Sequence, residues 1–421
     1  MSAVAQSVPR SLGPFVALEV ATSVSGMGNG ISMVLFPWLV LELTGSAAAA
    51  GAMGAITTVP LLLSFLFSGV AVDIVGRRRM AVASDILSGV SVALVPLVGA
   101  LTDLTFGVLA ALAVLGAVFD PAGISARKSM LPEAAIRGGL RLERANGINE
   151  ATWAAAYVLG PGIGGLCIGL LGASATFWIA AVLFAAGALT MLLVRVPGSG
   201  RLGEHERARG IVVSTVEGLR FVWDDRVLRS VGLLSMVMVG FWLPVEGVVF
   251  PVLFEDADQP GRLGLIVMAL SAGGIGGALA YSAVGQRFAR RPVFLVSLVV
   301  TGLAVVAMAF LPPFPVLLLF GFVTGFAYGP IGPLVNIAMQ ERSPGRMRGR
   351  VVGLVAALDY AAGPAGYLII GPMIQAIGLQ PAFMVLAVGV LVFAVLAIFL
   401  PSLRGLDDPP AEDAFSEATS D

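Results

Sequence analysis

Five carboxylates sit inside long apolar stretches of this chain: Glu19, Asp120, Glu150, Glu246 and Asp359. An acid placed within lipid costs roughly 2.5–3.5 kcal/mol on the insertion scale, so each needs a reason to be there. Burial disfavours a charged carboxylate, and a carboxyl without a neighbouring cation can gain and lose a proton as its surroundings change. One proton falling through 100 mV releases about 2.3 kcal/mol, enough to drive a cation or a neutral solute uphill. The chemistry these residues suggest is proton exchange rather than bond making. Helical spacing gives each acid its neighbours. Glu19 shares a stripe with Ser23, Gly26 and Gly30, while Val20, Val24, Met27 and Ile31 offer a lipid face. Asp120 lies with Gly116 and Gly123, and Glu150 with Ala154, Tyr157 and Pro161. Glu246 stacks with Trp242 and Phe250, and Asp359 with Ala356, Gly363 and Gly366. Asp120 and Glu150 lie toward the cytoplasmic ends of their runs, where Arg127 and Arg144 offer structural ion pairing as the competing expectation. No lysine or arginine is expected at comparable depth to neutralise these acids.

Aromatic residues accompany them. Trp153, Tyr157, Phe241, Trp242, Phe326, Tyr328 and Tyr360 could line an apolar pocket that tolerates a cation, although packing is the commoner use of an aromatic in a span. Other chemistry is poorly supported. His205 is the single histidine and Cys167 the single cysteine, so neither a histidine metal site, a triad nor an internal disulfide can be assembled. Gly274, Gly276 and Gly277 lie within a span and follow no strand, so they are not a dinucleotide loop. No cofactor and no enzymatic activity are expected, and a net charge of −1 gives no general affinity for nucleic acid.

These residues need membrane helices to hold them. The 421 residues are 57% hydrophobic and only 12% charged, with 53 glycines. Ordinary globular chains are about 25% charged, and helices in lipid associate through small residues. A span takes about 20 apolar residues. Helices are expected near 13–41, 46–72, 79–101, 104–126, 145–171, 174–196, 228–254, 261–287, 291–312, 315–340, 349–375 and 380–401. The first run is too long for a signal-peptide core, so it reads as a span. With both termini in the cytoplasm, 24 of 25 basic residues fall inside and only Arg262 falls outside. The reverse orientation would break the positive-inside rule almost completely. An even number of spans follows from the same alternation.

The expected organisation is a six-helix bundle over 1–196, a cytoplasmic linker over 197–227, a second bundle over 228–402 and a disordered acidic tail over 403–421. Val216, Leu219 and Trp223 recur at helical spacing, which suggests a short interfacial helix at the end of the linker. The halves repeat. Phe119–Gly123 matches Tyr328–Gly332, Gly160-Pro161 matches Gly363-Pro364, and Phe36-Pro37 matches Phe250-Pro251. A weaker hairpin match has Tyr281 in place of Asp73. The offsets of 209, 203, 214 and 208 residues agree on one duplication. Two such halves around a central cavity make a parallel-repeat carrier.

Gly69, Asp73, Gly76, Arg77, Arg78 and Arg79, followed by Asp85, form a basic hairpin between the second and third runs. It resembles the loop signature between helices 2 and 3 of the major facilitator superfamily. That resemblance implies an all-α integral membrane fold of twelve helices in two pseudo-symmetric bundles. It also implies that Asp73 engages the start of the eleventh helix, and that Arg77 pairs with Asp85 when the cavity opens outward. Gly147, Ala156, Gly160, Pro161, Gly164 and Gly165 resemble the superfamily's antiporter signature, with Ala156 replacing the usual glycine. Phe36–Val40, Val72–Arg79, Phe119–Gly123, Ser129–Ala135, Gly218–Trp223, Tyr328–Pro330, Arg348–Gly353 and Tyr360–Pro364 look like the superfamily's multidrug efflux proteins. This implies proton-coupled export of tetracyclines and some aminoglycosides. Those proteins tend to carry an acid where this chain has Asn29. The proton role on the first helix is then either lost or moved to Glu19, and Asn29 joins the cavity wall.

The expected function is therefore an exporter of amphiphilic drugs coupled to protons, acting as a monomer in the cytoplasmic membrane with the bilayer as its other partner. The alternative within transport is export or flipping of an endogenous metabolite or lipid. A membrane receptor is a third class, disfavoured because it leaves the intramembrane acids unexplained.

Overall fold

The computed structural model describes residues 11–194, 219–343 and 348–407. Its elements are α1 (Gly13–Thr44), α2 (Ala47–Val75), α3 (Arg77–Leu101), α4 (Phe106–Gly138), α5 (Leu142–Leu193), α6 (Arg226–Pro244), α7 (Phe250–Glu255) and α8 (Pro260–Val284). They continue with α9 (Arg290–Ala309), α10 (Phe314–Tyr328), α11 (Ile331–Arg342), α12 (Arg348–Ala361), α13 (Gly363–Ile377) and α14 (Leu379–Ile398). Among the described residues ten helices are long and apolar enough to cross a bilayer. Their composition reconciles that number with twelve expected spans. The 52 residues of α5 would extend about 78 Å as one rod, more than twice the hydrocarbon thickness. The rod breaks at Gly172, whose φ of 83° is open to glycine and costly for other residues. The eleventh span is interrupted at Ala362 between α12 and α13.

Prolines and glycines place the other irregularities. Pro251 has no N–H to donate, and beside it the N–H of Phe250 reaches back to the carbonyl of Val245, giving the π-turn Val245–Val249 between α6 and α7. The repeated Tyr328-Gly329-Pro330 motif ends α10, whereas its counterpart Phe119-Asp120-Pro121 passes unbroken through α4. Likewise Gly363-Pro364 starts a new helix, whereas Gly160-Pro161 lies inside α5. Between α1 and α2 the chain turns at Gly45, with φ 57°.

Packing divides the chain into two units. One draws on Met1–Phe36 and Leu63–Glu204, and the other on Pro37–Leu62 and His205–Asp421. Both α1 and α2 change unit near a proline, Pro37 and Pro60 respectively.

The first unit has a core of Phe15, Leu18, Met80, Met130, Leu131 and Met191, which knits α1, α3, α4 and α5. Helices α1 and α5 also approach closely. A Cβ added at Gly160 would lie 2.8 Å from the Cα of Gly30, and one at Gly164 would lie 2.8 Å from Val34. Small residues are therefore required on both sides of this seam.

The second unit has its own core around Leu228, Val231, Phe294, Leu298, Val351 and Val390. The hairpin 37–62 belongs to it. Ser46 accepts a hydrogen bond from Gln375 Nε2 at 2.8 Å, and Gly54 faces the ring of Tyr367. A 3-10 segment, Pro401–Leu406, buries Leu403 and Leu406 in the core. Arg342 holds this segment through the carbonyl of Gly405, and also pairs with Asp225 at 3.2 Å. The expected linker helix and acidic tail lie outside the described residues, apart from 219–223 and 403–407.

Candidate functional site

In the first unit the acids find different partners from those nearest in sequence. Arg127 is 3% exposed and Asp85 1% exposed, and they form a buried ion pair. Ser25 completes the group, donating to Asp85 Oδ1 at 2.8 Å while accepting from Arg127 Nη2 at 3.0 Å. Arg127 is thus a buried cation whose ion pair is with Asp85 rather than with Asp120. Asp120 instead accepts from Asn29 Nδ2 at 2.8 Å. Asn29 is therefore a hydrogen-bond donor to an acid on α4. Glu150 pairs with Lys128 at 3.1 Å rather than with Arg144, and both side chains are largely exposed. Arg77 lies 2.7 Å from Glu133 and also donates to the carbonyl of Ser129, so in this structure it is not the partner of Asp85. Arg78 donates to the carbonyls of Met191 and Leu192. Gly76 takes φ 96° to turn the chain into α3. The side chain of Asp73 lies outside the described residues.

Glu19 is 8% exposed and accepts from Asn149 Nδ2 at 3.0 Å through one oxygen. Its other oxygen, Oε2, is buried without a partner. A small cavity lies beside this contact, lined by Thr22, Ile124, Arg127, Lys128, Asn149 and Trp153. Trp153 leans on Tyr157 at 5.6 Å and lies against the Gly26 position of α1. Glu19 and Asn149 lie on α1 and α5, whose close seam depends on the glycines of the antiporter signature. Gly160, Pro161, Gly164 and Gly165 are buried there, and Ala156 fits because its partner is Gly26. Gly147 has open space around it.

The second unit holds a cluster of a different kind. Asp359 on α12 has a buried oxygen, Oδ1, with no hydrogen-bond partner. Tyr328 and Tyr360 are within its electrostatic reach. Tyr360 is likewise close to Glu246, which sits on the π-turn and bonds Trp242. Tyr367 on α13 is within electrostatic reach of both Glu246 and Tyr360. Two acids from separate elements therefore lie within electrostatic reach of the same tyrosine, Tyr360. Among the described residues no ion pair joins either acid to a base. Such an arrangement can hold a proton or a cation against rings and carboxylates. The remaining aromatic candidates lie elsewhere. Phe241 packs on Phe393 at 5.8 Å and against Gly389, and Phe326 stacks on Phe322 at 6.1 Å beside Gly276.

Asn149 and Tyr367 were not singled out in the sequence. Asn149 directly precedes Glu150 in the chain, and Tyr367 lies one turn beyond Gly363 on the stripe that carries Asp359, so a wider reading of the same stripes would have reached both.

Polytopic helices with acids held in an apolar interior define a class of carrier, and a family comparison fixes it. The Major Facilitator Superfamily profile matches residues 18–254 and 245–420. The chain belongs to this superfamily and is a multi-pass membrane transporter, not an enzyme. It is 44% identical over 398 residues to the Multidrug efflux pump Tap of Mycolicibacterium fortuitum, covering 94% of this chain and 97% of that one. It is 44% identical over 407 residues to the Multidrug efflux pump Tap of Mycobacterium tuberculosis, covering 95% and 96% respectively. Among solved structures, the fold is similar to that of the nucleoside transporter NupG, with a TM-score of 0.75 at 12% identity over 92% of this chain and 98% of that one. It is also similar to a D-xylose-proton symporter, with a TM-score of 0.70 at 14% identity over 93% and 99%. At these identities the structural likeness speaks only for the fold.

Proposed function

We propose that this transporter is a multidrug exporter that exchanges protons for amphiphilic, preferentially cationic drugs, by alternating access. Relatives named as multidrug efflux pumps, at 44% identity over nearly the whole chain, support drug export. The observation that carries proton exchange is the pair Glu246 and Asp359, held among Trp242, Tyr328, Tyr360 and Tyr367 without a basic partner among the described residues. In this proposal Asp359 carries the proton, Glu246 contributes the second carboxyl, and the aromatics receive the organic body of the cargo. Glu19, with its unpartnered oxygen beside Asn149, is the candidate carboxyl of the first unit. Asp120, bonded to Asn29, is a supporting acid, and Glu150, exposed on Lys128, is least suited to the task. Tetracyclines and aminoglycosides are the first drugs to try. The protein acts as a monomer with both termini in the cytoplasm, as the distribution of arginine supports.

The test is drug efflux from vesicles reconstituted with the full chain, with and without an imposed pH gradient. Efflux should follow the gradient and stop when an uncoupler is added. Export that ignores both would refute proton exchange while leaving drug export in place.

A further inference from the structure

One cavity of the second unit lies apart from the acid–tyrosine cluster, at the end where α7 gives way to α8 and α9 to α10. Its volume is about 140 Å³, and its walls include Leu253, Phe254, Gln259, Arg262, Leu311 and Phe314. Apolar cavities of about 150 Å³ accept a benzene-sized ring. Phe254 and Phe314 meet edge to face at 5.9 Å and 88°, which presents an aromatic wall.

Arg262 is the one basic residue that the positive-inside pattern leaves outside the cytoplasmic set. Its guanidinium lies 4.9 Å from the centre of the Phe314 ring, so a cation of the protein's own already occupies that face. The surrounding charge has the opposite sign. Glu255, Asp256 and Asp258 belong to the adjoining turn, and Glu42 is within electrostatic reach of Glu255. Among the described residues no ion pair joins Arg262 to these acids. Arg262 is the charged residue of the lining, and the turn beside it carries three carboxylates, Glu255, Asp256 and Asp258. An incoming cation would meet an aromatic face and a negative rim, with only the mobile end of an exposed arginine to displace.

The backbone around the cavity is unusual too. Asp258 and Leu311, both at φ 52°, are the non-glycine residues with positive φ among those described. They lie in the two turns that bound the cavity, where such strain persists only if the surroundings hold it.

We propose that this cavity is an accessory site for an aromatic cation, with its ring against the wall made by Phe254 and Phe314 and its positive group toward the carboxylates of the adjoining turn. Arg262 occupies the site when it is empty of ligand and competes with the incoming cation for the face of Phe314. The site does not depend on proton exchange, and its ligand need not be cargo.

The test is a titration of benzyltrimethylammonium into the full chain in lipid nanodiscs, followed by saturation-transfer NMR with protein-free nanodiscs as the blank. Saturable binding is expected in the unmodified chain. Arg262→Gln, a surface change that leaves the fold intact, should tighten binding about threefold by freeing the aromatic face, and Phe314→Leu should weaken it about fivefold. Benzenesulfonate should bind less well than the cation. The proposal falls if the unmodified chain shows no saturable binding, if Arg262→Gln weakens binding or leaves it unchanged, if Phe314→Leu has no effect, or if the sulfonate binds better. Because the readout is binding and not transport, a failure of proton-driven efflux would leave this result standing.

Discussion

At the scale of single residues, the decisive feature is which acids have a cation and which do not. Asp85 has one in Arg127, and both are almost fully buried. Removing one member of such a pair leaves an uncompensated charge, at a cost of about 3–5 kcal/mol, whereas replacing both with apolar residues is often close to neutral. Arg127→Leu should therefore lower the thermal unfolding midpoint in mild detergent sharply, and adding Asp85→Leu should restore most of the loss. An unchanged midpoint in the single variant would mean that the pair is not buried in the folded protein. Glu341 shows the opposite regime at the surface. The hydrogen bond from Arg290 holds its carboxyl below the ordinary 4.5. The stabilisation is therefore complete above that ordinary value and is lost as pH falls through the lower folded value. With exposures of 35% and 39%, the pair contributes no more than about 1 kcal/mol. Comparing unfolding of the unmodified chain with Glu341→Gln should show a small advantage at neutral pH that vanishes in acid. The sequence could place Asp85 and Asp120 in apolar runs but could not choose their partners. Arg127 lies two turns from Asp120 on one helix, yet it reaches across to Asp85 on α3, and that choice depends on helix rotations that local spacing does not encode.

At the scale of elements, close helix contact and helix breakage divide the work. The seam of α1 and α5 rests on Gly30, Gly160 and Gly164. Gly160→Ala would place a methyl group 2.8 Å from the Cα of Gly30, where only movement of the backbone can make room. A loss of about 1–3 kcal/mol is expected from such overpacking, measured again by unfolding in detergent, and export should fall with it. By contrast, Gly147→Ala meets open space and should be tolerated. The C-terminal 3-10 segment gives a second test, since Leu403 is fully buried in the core of the second unit. Leu403→Ala should cost about 2–5 kcal/mol, and a midpoint equal to that of the unmodified chain would show that the segment is not docked. Most helix positions were legible because apolar runs of the right length admit few alternatives in lipid. The π-turn at Glu246 was not, since Phe250-Pro251 announces a disturbed hydrogen-bond ladder without saying how the ladder is repaired.

At the scale of the whole molecule, duplication gives two related sets of helices, but the copies are used differently. The first unit binds its acids with amides, a serine and arginine, whereas the second surrounds two acids with tyrosines and tryptophan. The repeat was visible in four matched motifs, and the superfamily in its hairpin. The chemical asymmetry was only partly visible, because it depends on residues such as Tyr367 that lie outside the motifs. The proposal that proton exchange belongs to the second unit is tested directly by a measurement of proton movement. Inside-out vesicles bearing the full chain can be acidified within and monitored with a lumenal pH dye. Adding a cationic drug outside should drive drug inward and protons outward, so that the lumen becomes more alkaline. Asp359→Asn should abolish this drug-induced alkalinisation by at least tenfold while the folded protein remains. The same proton release from the Asp359→Asn variant as from the unmodified chain would contradict the central claim.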